Sequence, residues 1–71
     1  MRITYDEEAD ALYIRFQQAT VTTLHAAEGI ALDFDADGHL AGVEVLDATE
    51  RLGGLGSLGS VSVELSRRGW V

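Results

Sequence analysis

Cysteine is absent from this sequence, so no disulfide braces the fold and no thiol can act as nucleophile or metal ligand. No evident zinc pattern takes its place. Long apolar runs are missing too: nothing approaches the ~18 residues a membrane span requires. The opening Met1-Arg2-Ile3-Thr4-Tyr5-Asp6 lacks the apolar centre of a secretory signal, which makes the cytoplasm the expected address and a membrane role unexpected. The missing cysteines fit any redox compartment and decide nothing about location.

Cations are scarce as well. The 71 residues carry five arginine or lysine side chains against twelve carboxylates, a formal net charge of -7. The imbalance sits in the body, where only Arg2 and Arg15 precede Glu50; Arg51, Arg67 and Arg68 outweigh Glu64 in a mildly basic tail. Nucleic-acid binding rests on cationic neutralisation of phosphates, so no nucleic acid is expected, and a basic protein suits the field better. Length sets another bound. A chain this short buries only ~60% of its unfolded surface, and such a core rarely supplies more than roughly 3–5 kcal/mol. Association into a homodimer would ease that limit.

What is present is period-two alternation. Arg2 to Tyr5 alternates and runs into the charged loop Asp6-Glu7-Glu8-Ala9-Asp10; Ala11 to Phe16 then puts Leu12, Ile14 and Phe16 on one face and Ala11, Tyr13 and Arg15 on the other. That is an N-terminal hairpin. Thr20 to Ala26 is β-branched enough for a strand. Ile30, Leu32 and Phe34 share a face opposite Ala31, Asp33 and Asp35, and the chain turns at Asp35-Ala36-Asp37-Gly38, an Asp-Gly hairpin signal. His39 to Leu46 returns, with a stutter at Ala41-Gly42 that suggests a bulge.

Asp47-Ala48-Thr49-Glu50 has the spacing of a capping box, with Asp47 as N-cap and Glu50 reaching back. The helix it opens is short, because Gly53 and Gly54 follow Leu52. Gly53 to Ser60 has linker composition with Leu55 and Leu58 as anchors. Val61 to Leu65 alternates and reads as one more strand, although Ser60 and the Arg67-Arg68-Gly69 run would also permit a short helix. Residues 1–52 thus read as a single antiparallel β domain with a short helix, and 53–71 as a Gly/Ser-rich segment. The fold class expected is mainly β, small α+β: a four- to five-stranded antiparallel sheet of hairpins with one helix after the Asp35-Gly38 hairpin, packing Leu52 against one face. Its expected core is Ile3, Tyr5, Leu12, Ile14, Phe16, Ile30, Leu32, Phe34, Leu40, Val43 and Val45.

Two stretches, Tyr5-Asp6-Glu7-Glu8-Ala9-Asp10-Ala11-Leu12-Tyr13-Ile14 and Gly29 through Asp35, Gly38 and Val43-Glu44-Val45-Leu46-Asp47-Ala48, carry a resemblance to a known family. The chain from Met1 to about Leu52 resembles the small bacterial proteins called domain of unknown function 2283. The resemblance implies a small prokaryotic β-rich protein with no assigned activity, and so no catalytic residues to carry over. Families of this size often sit beside small toxin-like proteins, which by analogy points to an antitoxin-like or other neutralising role.

Asp33-x-Asp35-x-Asp37-Gly38 with Glu44 beyond it matches the calcium-loop pattern literally. An EF-hand needs flanking helices to fold the last ligand back, whereas here Glu44 lies about 20 Å of strand past Gly38. An open, weak calcium site through Asp33, Asp35 and Asp37 is the residual metal reading; the alternative is an acidic hairpin whose carboxylates stabilise the turn. The cluster Asp6, Glu7, Glu8 and Asp10 has no pocket chemistry around it and reads as a loop capping its own amides. In a simple meander it lies at the sheet end opposite the Asp35 turn. His39 stands next to that turn, where a histidine beside carboxylates can take a transition metal; His25 stands apart. Tyr5, Tyr13 and Phe16 form either an exposed contact patch or, with Tyr13, cover for the second side of the sheet. Edge strands remain as templates for a partner's strand.

The expected function is therefore a non-enzymatic interaction module without cofactor, either a homodimer or the acidic partner of a small basic protein. Divalent-metal binding through Asp33, Asp35 and Asp37 is the alternative, and an enzyme would require a pocket formed across a subunit interface.

Overall fold

The computed structural model describes residues 1–64 of the chain. Five strands form one antiparallel sheet: β1 (Arg2–Asp6), β2 (Ala11–Arg15), β3 (Thr22–Ala27), β4 (Ile30–Phe34) and β5 (Leu40–Val45), followed by the one-turn helix α1 (Ala48–Arg51) and a 3₁₀ turn at Gly56–Gly59. The mainly β class with one short helix is thus as expected. The strand order is β1-β2-β5-β4-β3, so the simple meander is corrected. Burial explains the order. β5, with Ala41 and Gly42 buried and Val43 to Val45 half-buried, takes the centre, while β3, exposed along its whole length, lies at an edge.

The register lays out two faces. Ile3, Ile14, Val43, Leu32 and Leu24 make one apolar row, and Tyr5, Leu12, Val45, Ile30 and Ala27 the next. On the reverse face, Thr4, Tyr13, Glu44, Ala31 and His25 align, as do Arg2, Arg15, Gly42, Asp33 and Thr23. The expected bulge exists: Asp33 opposes Gly42 while Phe34 opposes Leu40, leaving Ala41 as the extra residue. A second irregularity lies on β3 between His25 and Ala27.

Connections tie the two sheet halves together at both ends. The link from β2 to β3 crosses one end, where Phe16 and Gln17 donate backbone N–H bonds to Ala41 O at 2.8 and 3.3 Å. Six residues suffice, since three strand spacings are only about 14 Å. At the other end, α1 sits between two turns: Ala48 N donates to Asp10 O at 3.0 Å, Leu46 N to Gly29 O at 2.8 Å, and Arg51 Nε to Leu46 O at 2.9 Å.

Three sequence expectations about this region are corrected. Asp47 does precede α1, but its backbone is left-handed (φ 52°) and it makes no side-chain cap bond. The cap comes from Asp10, 39 residues away, which accepts from Thr49 N at 3.2 Å and from Thr49 Oγ1 at 2.6 Å. A residue turned into the left-handed region aims its carboxylate away from the amides ahead of it, so a cap from elsewhere takes over. Leu52 is 44% exposed; the helix buries Ala48 instead. Val61 to Glu64 carry no strand, while Leu65 and the Arg67-Arg68-Gly69 signal lie outside the described residues.

The core is the largest departure. Its expected members share the apolar face, yet of them only Leu12 is buried; Phe16 and Leu40 are exposed, and the other buried apolar residues are Ala31, Ala41 and Ala48. Among the described residues no large side chain is fully buried. The reason is architectural, because a sheet needs a second layer to bury its apolar face, and one turn of helix is too small to be that layer.

Candidate functional site

The Asp35-Gly38 turn is built from its own carboxylate. Asp35 Oδ1 accepts from Asp37 N at 3.0 Å and His39 N at 2.8 Å, and Gly38, at φ 83°, supplies the left-handed step that closes the turn. Asp35 Oδ2 accepts from Gln17 Nε2 at 3.1 Å and lies 3.4 Å from His39 Nδ1. The amide bonds from His39, the stronger influence, and Asp37 hold the Asp35 carboxyl below its ordinary value. Asp35, Asp37 and His39 can bring one ligand atom each within 4.8 Å of one another.

Asp33 belongs to a different group. It points to the polar face, where Thr23 Oγ1 and Tyr13 OH each donate to its carboxylate at 2.6 Å. Those two donors, Thr23 foremost, lower its pKa, and the same bond raises that of Tyr13. The Tyr13 ring crosses β5 at Gly42, where a β-carbon would collide with its hydroxyl. Tyr13 therefore covers the second side of the sheet rather than forming an exposed aromatic patch. The structure thus gathers Asp35 and Asp37 with His39 and separates Asp33 from them. Glu44, on β5 opposite Tyr13 and Ala31, is likewise away from the turn, as the extended spacing required.

The first acidic loop caps itself: Asp6 Oδ1 accepts from Glu8 N at 3.0 Å and Ala9 N at 3.3 Å. Asp10 does more. Besides Thr49 it accepts from Tyr5 OH at 2.6 Å; the Thr49 and Tyr5 bonds depress its pKa, and Asp10 in turn pushes Tyr5 up to about 12. Sequence reasoning missed this role. The available signal was a loop-end Asp one residue before the β2 alternation begins.

Two surface depressions, both lined by Arg2 and Arg15, measure about 80 and 200 Å³, against the ~300–1,000 Å³ of ordinary small-molecule sites. The apolar face is the larger feature. It exposes Leu24 (57%), Phe16 (43%) and Leu40 (38%), and no helix or strand among the described residues forms a layer across it. Acidic residues gather beyond one end of it, at Asp6, Glu7, Glu8, Asp10, Glu28, Asp47 and Glu50.

A one-layer antiparallel sheet with an uncovered apolar face and acidic turns defines a class of small open-sheet domain. More particularly, the chain belongs to the family described as Protein of unknown function (DUF2283), whose model matches residues 2–48. No curated protein and no solved structure matches it. The family span takes in all five strands and the start of α1.

Proposed function

We propose that this chain is a non-enzymatic interaction module whose apolar sheet face is completed by a small basic protein. The observation that carries the reading is the single-layer sheet, with Leu24, Phe16 and Leu40 exposed and no large side chain fully buried among the described residues. Burying apolar surface contributes about 25 cal/mol per Å², so a partner layer supplies what a short chain cannot. The charge of -7 selects a basic partner by steering its approach and rejecting acidic ones. The small depressions support a non-enzymatic role, and a neutralising, antitoxin-like function in the cytoplasm is the physiological setting that suits such a pairing.

The test is light scattering of the chain mixed in equal amounts with each small basic protein encoded beside it. A stable complex that is lost with Leu24→Asp and Leu40→Asp, both surface positions on the face, supports the reading. Failure of all neighbours to bind, or binding indifferent to both substitutions, overturns it.

The convergence of Asp35, Asp37 and His39 favours one second reading, a weak divalent-metal site at the turn, with His39 standing where the spacing pattern put Asp33. Asp35 Oδ1 is already committed to two amides, which leaves Oδ2, Asp37 and the imidazole. Thermal melts with millimolar calcium or zinc decide it, since a ligand of the native state raises Tm by mass action. An unchanged Tm removes the metal reading.

A further inference from the structure

The two edges of the sheet are unlike. β3 is broken by an irregularity between His25 and Ala27, and bulges are a means of blunting an edge against pairing. β1 pairs with β2 in unbroken register through all five of its residues, from Arg2↔Arg15 to Asp6↔Ala11. Its outer backbone groups face no strand among the described residues.

The sequence of β1, Arg2-Ile3-Thr4-Tyr5-Asp6, is complementary to itself when reversed. Antiparallel pairing with a second β1 centred on Thr4 sets Arg2 opposite Asp6 twice, Ile3 opposite Tyr5 twice, and Thr4 opposite Thr4. Each is a favourable cross-strand pair of its kind: opposite charges, aromatic with β-branched, and threonine with threonine. The pairing also keeps faces matched, because Ile3 and Tyr5 lie on the apolar side and Arg2, Thr4 and Asp6 on the polar side. A one-residue slip would set one copy's apolar face beside the other's polar face.

A local electrostatic defect points the same way. Arg2 stands directly opposite Arg15, a like-charge cross-strand pair, and neither forms an ion pair among the described residues. A carboxylate arriving beside Arg2 relieves that repulsion. Asp6 has one oxygen free for the purpose, since only its Oδ1 is used in capping Glu8 and Ala9.

From this we infer that a second copy of the chain docks on β1, giving a two-fold dimer with one continuous ten-stranded sheet and the two apolar faces on the same side. The symmetry is closed and isologous, so each Arg2 meets the partner's Asp6 and no further edge of this kind remains. The dimer is independent of the partner layer proposed above: it uses the edge and leaves the face open.

Charge reversal tests it by sedimentation velocity from micromolar to millimolar concentration, with circular dichroism to verify folding. Arg2→Asp and Asp6→Arg alone should each weaken dimerisation at least tenfold. Mixed in equal amounts they should recover a heterodimer, seen by native mass spectrometry. A wild-type chain that stays monomeric, or an Arg2→Asp chain that dimerises as well as wild type, overturns the inference.

Should the Asp6 variant lose its turn, a second probe takes over. Paired Thr4 Cα atoms would lie roughly 4.5–5.5 Å apart, within the roughly 4.4–6.8 Å range of a disulfide. Thr4→Cys in this cysteine-free chain should cross-link on mild oxidation, whereas Arg2→Cys, about 13 Å from its copy, should not. A dimer in which Thr4→Cys fails to cross-link, or in which both variants cross-link equally, also overturns it.

Discussion

At the scale of single residues, the polar face depends on one glycine. Gly42 lies on a central strand, where Ala would ordinarily be the better residue by lost chain entropy. Its backbone is outside the left-handed region, so the obstacle to a side chain is space: the Tyr13 hydroxyl and ring carbon occupy it, and the Ile14 backbone O stands 3.1 Å away. Gly42→Ala should therefore cost about 1–3 kcal/mol by overpacking. It should also displace Tyr13 from Asp33, letting the tyrosine titrate nearer its ordinary value. Denaturant melts measure the first effect and ultraviolet titration the second. If stability rises and the titration is unchanged, Tyr13 does not lie over β5 as described.

At the scale of elements, the strands were legible because alternation is a local signal: the β1-β2 hairpin, the Asp35-Gly38 turn and the Ala41 bulge all follow from residues within a few positions of one another. Strand order was not legible, since nothing near β2 says that β5 will lie beside it. The cap of α1 failed for the same reason. Asp47 has the right spacing, but Asp10 has the right place, brought there by the fold. The turn carboxylates divided because β4 ends at Phe34: Asp33 stays on the strand, held by Thr23 and Tyr13, while Asp35 and Asp37 lie in the turn beyond it. Only pairing across the sheet could reveal that Thr23 and Tyr13 meet Asp33. The capping result is testable by comparing two substitutions. Asp10 and Asp47 both have positive φ, 50° and 52°, so glycine suits either backbone. Asp10→Gly should lower Tm and reduce protection of the Thr49 amide in hydrogen exchange; Asp47→Gly should leave both nearly unchanged. The reverse order would restore the local capping box.

At the scale of the whole molecule, the ionisable side chains set a stability window with two edges. Asp10, Asp33 and Asp35 all have pKa values lowered below 3.8 by hydrogen bonds to their charged forms. Each therefore binds its proton more readily when unfolded, and its contribution, present above about pH 4, is lost as pH falls through the folded value. Tyr5 and Tyr13 act in the opposite direction. Their values are raised above 10.0, Tyr5 to about 12, because each neutral hydroxyl donates to a carboxylate. Their contribution is complete below pH 10 and is lost as pH rises through each raised folded-state value, about 12 for Tyr5. Tm should accordingly be level between roughly pH 5 and 9 and fall on both sides. Tyr5→Phe should soften the alkaline fall while lowering the plateau, because it removes the hydroxyl that titrates along with the bond it makes to Asp10. Melts across pH in wild type and Tyr5→Phe measure this directly; an alkaline limb identical in both would mean that the Tyr5-Asp10 bond contributes nothing to the fold.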